Sequence, residues 1–150
     1  MKTSCFVAAV LAIGLLGATF FTMSISKEQS EGLRRVLSPE KAQKYEEISK
    51  ERANIYMTGL MIGIVLALIV LYYARPSNMF HRVMMSLAIV LVTSVFYYTL
   101  VPKTDYMIRH LNSEKENRAW LEVYRGMKTR YVWGFVLGTA VAVPLAYTYC

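Results

Sequence analysis

Four side chains here could hold a metal or act as a nucleophile or base near neutral pH: Cys5, His81, His110 and Cys150. Metal ligation and thiol redox chemistry both need such groups in close, spaced sets. None is present: there is no Cys-x-x-Cys, no nucleophile elbow and no glycine-rich phosphate loop. A thiol enzyme that reduces quinones would need a redox pair the spacing does not supply. His110 and Glu114 stand four apart, a spacing that suits a surface pair on a helix better than an acid–base couple. The reading is therefore of no catalytic residue, no metal site and no cofactor, and of a protein that is not an enzyme.

The elements that would position these residues follow from the distribution of charge. Of 150 residues 55% are hydrophobic, and the charges are gathered into blocks. Uncharged runs fill the intervals from Lys2 to Lys27, from Arg52 to Arg75 and from Arg82 to Lys103, and 131–150 is a fourth. About 20 apolar residues in a helix cross roughly 30 Å of hydrocarbon, and each run is long enough. A helix also satisfies its own backbone polar groups, as lipid requires. The runs lack the two-residue alternation of barrel strands. The fold class expected is all-α: a polytopic membrane protein, one domain, with four transmembrane helices in a bundle. The spans are placed at about 5–25, 53–74, 83–101 and 131–149. The first run resembles a signal peptide in its basic start and apolar core. It lacks a clean small-x-small cleavage site before the polar region, and is read as a retained helix.

Four spans put Met1, the 75–82 loop and Cys150 on one face, face A, and the 26–52 and 102–130 segments on the other, face B. Of the 17 Lys and Arg residues, face B carries all but Lys2, Arg75 and Arg82, and it carries all 10 acidic residues. The positive-inside rule makes face B cytoplasmic and leaves both termini on the non-cytoplasmic side. The net charge of +7 is then explained by basic loops against anionic headgroups, with no nucleic-acid partner implied. His81 and His110 fall on opposite faces and cannot share a metal. Cys5 and Cys150 both fall on face A. They are read as unpaired thiols, with a disulfide between the first and last spans as the alternative. Tyr72, Tyr73, Tyr147 and Tyr149 mark the face A interface; Tyr56, Tyr97, Tyr98, Tyr131 and Trp133 mark face B.

The absence of Asp, Glu, Lys, Arg and His from the four spans argues against active transport, which places such groups in lipid despite their cost. Ser86, Thr93 and Ser94 would make a thin lining for a pore.

Two helical extensions are expected on face B. Ser38-Pro39-Glu40 is a helix start, and the helix should run from Pro39 to about Ala74. Ser113-Glu114-Lys115-Glu116 is a capping box whose helix can continue into the last span through Gly126. The extramembrane parts are about 39–52 and 114–128. A short interfacial helix is expected over Asp105–Leu111, capped by Thr104, and Pro144 should kink the last span.

The two helix starts, Ser38 and Ser113, stand half the chain apart. At that offset Glu47 matches Glu122, Tyr56 matches Tyr131, Gly59 matches Gly134, Gly63 matches Gly138, Ala67 matches Ala142 and Tyr72 matches Tyr147. A duplicated two-helix hairpin, with a two-fold axis along the membrane normal, would produce this pattern. Gly59-x-x-x-Gly63 and Gly134-x-x-x-Gly138 are close-packing motifs. The simpler expectation is that spans two and four pack together through them; the other is a homo-oligomer contact.

On the extensions, Glu46, Glu47, Glu51 and Glu122 interleave with Lys44, Lys50, Arg125 and Lys128. Mixed charge suits a protein partner. Tyr45, Ile48, Trp120, Val123 and Tyr124 are the partner-binding candidates. Two alternatives stay open: packing of the extensions on each other, and solvated helices held by pairs such as Glu46 with Lys50.

Two family resemblances bear on function. Arg109-His110-Leu111-Asn112 with Glu114 and Asn117 resembles the Arg-x-His-x-Asn-x-x-Glu stretch of the four-helix microsomal glutathione transferase (MAPEG) family. That resemblance implies glutathione contacts at Arg109 and His110, although the family carries the stretch after span one and here it follows span three. Pro102 to Met107, continuing to Trp120-Leu121-Glu122-Val123-Tyr124-Arg125, resembles small four-helix proteins of the internal membranes of large double-stranded DNA viruses, the minor capsid proteins. It implies a structural protein of the virion membrane, tied to the capsid. The leading expectation is a non-catalytic scaffold or assembly factor. Its partners would be the lipid bilayer and other membrane or capsid proteins bound through 38–52 and 113–128. The alternatives are a MAPEG-like transferase and a small subunit of a multiprotein membrane complex.

Overall fold

The computed structural model describes residues 3–23, 26–74 and 78–150; Lys2 and Arg75, two of the charges assigned to face A, lie outside them. Helix α1 is Thr3–Met23, α2 Ser26–Val36, α3 Pro39–Ala74, α4 Met79–Leu100 and α5 Glu114–Tyr149, with a 3-10 turn at Met107–His110 before α5. Among the described residues there is no strand. The chain is all-helical, and α1, α3, α4 and α5 are each long and apolar enough to cross a membrane.

Local chemistry sets most boundaries. Pro39 opens α3 at the first helical position, where a missing N–H costs nothing. The Glu116 carboxylate accepts from the Ser113 N–H at 3.2 Å and fixes the start of α5. The Asn78 side chain accepts from the Phe80 N–H at 2.9 Å and caps α4. That cap lies ahead of the expected start of the third span, so α4 takes in His81 and buries it in its first turn. Helix α5 continues through Gly126 and Pro144 to Tyr149.

α1 and α4 meet at the centre, α3 packs on α4, and α5 packs on α1. The contacts are arranged as a two-fold axis would arrange them. Leu11 and Ala12 of α1 share one cluster with Leu87 and Ala88 of α4, which stand 76 residues further on, one more than the 75 that separates the paired glycines. Gly59 and Gly63 of α3 lie against Ser94 and Val90 of α4. Gly134 and Gly138 of α5 lie against Gly17, Ala18, Ile13 and Gly14 of α1. The expected packing of spans two and four on each other through these glycines is thus corrected: the second helix of each half packs on the first helix of the other.

Close approach explains why glycine is needed. A Cβ on Gly63 would stand 2.8 Å from the Val90 Cα, and one on Gly138 2.5 Å from the Ile13 carbonyl oxygen. Gly17 and Gly134 face each other's carbonyls, so a side chain on either would strike the other's backbone. In lipid, where no hydrophobic effect draws helices together, dispersion over such contacts takes its place.

The outer faces of the bundle are apolar. Met61, Leu68 and Tyr73 of α3 are 62%, 63% and 80% exposed, and α5 adds Val132, Trp133, Val136 and Val141. A water-soluble chain of this size seldom exposes so continuous an apolar surface.

On face A, Cys5 and Cys150 form a disulfide that joins the start of α1 to the end of α5, with Cα atoms 5.8 Å apart. This corrects the expectation of unpaired thiols. The two ends come together because the α1–α5 contact is antiparallel and both helices end at the same level. Phe80 stacks on Tyr149 beside the disulfide-bonded end, at 5.3 Å between ring centroids.

Candidate functional site

The polar half of the molecule is a cap on face B built from α2, the face B ends of α3 and α5, and the 102–112 segment. Its core holds Leu33, Leu37, Ile48, Met107, Leu111 and Val123, with Ala42, Tyr45, Ala119, Trp120 and Met127 packed around it. The same symmetry continues here. Leu33 of α2 and Leu37 just after it share the core with Met107 of the 3-10 turn and Leu111 just after it, 74 residues on, and Ile48 shares it with Val123, 75 residues on. Tyr45 and its counterpart Trp120 meet edge to face at 6.4 Å. Lys41 and Glu116, equivalent positions of the two halves, form an ion pair at 2.8 Å.

Polar contacts knit the cap to the bundle. Arg52 Nη2 donates to the Asp105 carbonyl at 2.6 Å, and its guanidinium lies over the Tyr106 ring. Glu51 accepts from the Thr104 N–H at 3.0 Å and from its hydroxyl at 2.9 Å, which holds its carboxyl below the ordinary glutamate value. Asp105 is lowered by the His110 imidazole at 2.7 Å and by the Tyr106 N–H. Glu116 is lowered by the Lys41 ammonium and by the Asn112 and Ser113 N–H groups. Arg34 of α2 pairs with Glu46 at 2.7 Å, so Glu46 is not the partner of Lys50 that its spacing suggested. His110 likewise pairs with Asp105, and Glu114 with Arg118.

The five partner-binding candidates divide. Ile48 and Val123 are buried in the cap core, and Tyr45 and Trp120 pack against it, so these four join the extensions to each other. Only Tyr124 faces outward, at 51% exposure. Leu121, Glu122, Arg125 and Lys128 of α5 are exposed around it.

Two grooves open on the cap. One, of about 570 Å³, is lined by Glu47, Lys50, Glu51, Asn54, Ile55 and Thr58 of α3 and by Tyr97, Val101 and Pro102 beyond it. The other, of about 580 Å³, is lined by Lys41, Lys44 and Glu47 on α3 and by Arg109, His110 and Asn112 opposite. Among the described residues no three His, Cys, Asp or Glu side chains are placed to hold a metal.

Two parts of the cap escaped the sequence reading. Leu33 of α2 and Leu37 just after it stand one helical turn apart among charges, an apolar pattern too short to mark a helix by periodicity. The 102–112 segment forms a 3-10 turn over Met107–His110 where a helix over Asp105–Leu111 was expected. Thr104 does not cap it, because its hydroxyl and N–H are both donated to Glu51. No family model, curated protein or solved structure matches the chain.

Proposed function

We propose that this chain is a non-catalytic integral membrane protein of the structural or assembly class. It spans the bilayer four times and holds a rigid, charged cap against a protein partner on the cytoplasmic side. The observation that carries the reading is the cap itself. Its aromatic and aliphatic side chains are committed to joining the two extensions, which leaves an ordered platform whose outer surface is Tyr124, Leu121, Arg125 and Lys128. A rigid platform loses little entropy on docking. In its most specific form the reading makes the membrane the internal one of a large virus and the partner its capsid.

Sidedness is supported twice. Most of the basic charge lies on face B, which favours a cytoplasmic cap. The Cys5–Cys150 disulfide lies on face A, which favours an oxidising compartment there.

The test is site-specific photocrosslinking in the native membrane. A crosslinker at Tyr124 or Leu121 is expected to yield a discrete protein adduct, while one at Tyr45 reports only contact within the chain. Absence of any adduct from 121, 124 and 125 would contradict the proposal.

One observation favours a second reading, a MAPEG-like glutathione transferase: Arg109, His110 and Asn112 line a single groove. Against it, the His110 imidazole is engaged by Asp105. Calorimetry with glutathione separates the readings, since saturable binding lost in Arg109→Ala would favour the enzyme.

A further inference from the structure

The groove beside α3 differs from the rest of the cap in standing at the boundary between its apolar and polar halves. Its lower wall is Ile55, Tyr97, Val101 and Pro102, at the face B ends of two of the long apolar helices. Its upper wall is Glu47, Lys50, Glu51 and Asn54, successive residues along one side of α3, and Thr58 stands one turn deeper, at the level of the apolar wall. These walls match a molecule with an apolar body and a polar, charged head.

The charges say which head. Lys50 forms no ion pair among those of the described residues, and Asn54 stands one turn below it. Together they offer N–H donors to a phosphate. The two carboxylates of the groove are occupied on one side only. Glu51 accepts from Thr104, and Glu47 takes one exposed ammonium, that of Lys44, at 3.0 Å. A carboxylate has about four acceptor positions, so each keeps room for a further donor. A purely anionic head would set its charge against Glu47 and Glu51. A head with a phosphate and a primary ammonium satisfies both signs, and a quaternary ammonium has no N–H to give the carboxylates.

We infer that this groove is a binding site for an aminophospholipid of the phosphatidylethanolamine type. Lys50 and Asn54 take the phosphate, Glu47 and Glu51 take the ammonium, and Ile55, Tyr97 and Val101 lie along the first part of an acyl chain. The site rests on the membrane-spanning reading, because the lipid reaches the groove from the bilayer. A lipid held there would couple the cap to the membrane surface at a fixed height.

The test uses the full chain, purified in mild detergent and offered phosphatidylethanolamine, phosphatidylcholine and phosphatidylglycerol in equal amounts, with retained lipid read by native mass spectrometry. Phosphatidylethanolamine is expected to be retained about fivefold over each of the others. In Glu47→Gln/Glu51→Gln the preference over phosphatidylcholine is expected to fall to about one, with total phospholipid kept. Lys50→Ala should lower retention of all three. Thr58→Trp, which introduces the residue that α5 carries at the matching position 133, should empty the groove, and circular dichroism reports whether the helices are kept. Equal retention of the three lipids overturns the proposal, as does a preference that survives both Thr58→Trp and the double glutamine variant. If the chain needs no detergent to stay dissolved, the membrane-spanning reading itself fails, and that outcome is distinct from unselective lipid retention by a detergent-bound protein.

Discussion

Glu116 shows how much a single side chain can join. It accepts from two N–H groups at the start of α5 and from the Lys41 ammonium on α3, and is buried among them. Those contacts favour the charged form, so its carboxyl titrates below the ordinary value of 4.5. A depressed carboxyl contributes stability that is present above its unfolded pKa and lost as pH falls through the folded one. Glu51 and Asp105 act in the same direction. The cap should therefore loosen on acidification below about pH 4.5. In a Trp133→Phe background, Trp120 emission should shift to the red over that range. Glu116→Gln should show part of the shift already at neutral pH and a shallower acid limb; an unchanged acid transition in that variant would contradict the role given to Glu116. Half of this arrangement was legible in the sequence. The capping box identified Glu116 as bonded to its own helix start, because that geometry is local. Lys41 was not legible as its partner, since nothing in a linear spacing says that two points half a chain apart meet on an axis.

At the scale of elements, helix contacts are set by small residues, and substitutions should sort by what stands opposite. Gly134 faces the Gly17 carbonyl, and Gly32 on α2 has nothing within 4 Å of an added Cβ. Gly134→Ala should destabilise by about 1–3 kcal/mol through overpacking. Gly32→Ala should stabilise α2 by about 0.5–1 kcal/mol through helix propensity. Thermal unfolding in detergent measures both, and equal effects of the two would contradict the packing described. The long helices were readable because charge-free runs of membrane-spanning length have few other physical solutions. Which helix each glycine pair meets was not readable. Two hairpins packed side by side and two hairpins that exchange partners place the same small residues inside. The outcome is decided by fit, here Leu11 and Ala12 of α1 against Leu87 and Ala88 of α4. The half-chain repeat was visible in Gly59 with Gly134 and Gly63 with Gly138. Its fuller form, Tyr45 with Trp120 and Ile48 with Val123, lay in residues that match in size and hydrophobicity and not in identity.

For the whole molecule, the two halves are held by the α1–α4 contact, by the cap core and by the disulfide from the first helix to the last. A link between points so far apart in the sequence restricts the unfolded chain strongly. Cys150→Ser should lower stability by about 2–4 kcal/mol. On non-reducing gels the parent should run as a compact monomer that slows on reduction, and the variant should not change. A parent whose mobility ignores reductant would contradict the bond. The cysteines could be placed on one face from the sequence, but their pairing depended on the antiparallel contact of α1 with α5, which the spans alone do not specify. Much of the outer surface of α3 and α5 among the described residues is exposed and apolar, and a bilayer would cover both at once.

Lipid as the solvent of these surfaces is the premise beneath the cap, its proposed partner and the lipid groove. Alkaline carbonate extraction of the membranes, followed by size-exclusion chromatography with light scattering, addresses it directly. The account predicts that the chain stays in the carbonate-washed pellet and becomes monodisperse only in detergent. A chain released by carbonate that runs as a monodisperse species in plain buffer would contradict it.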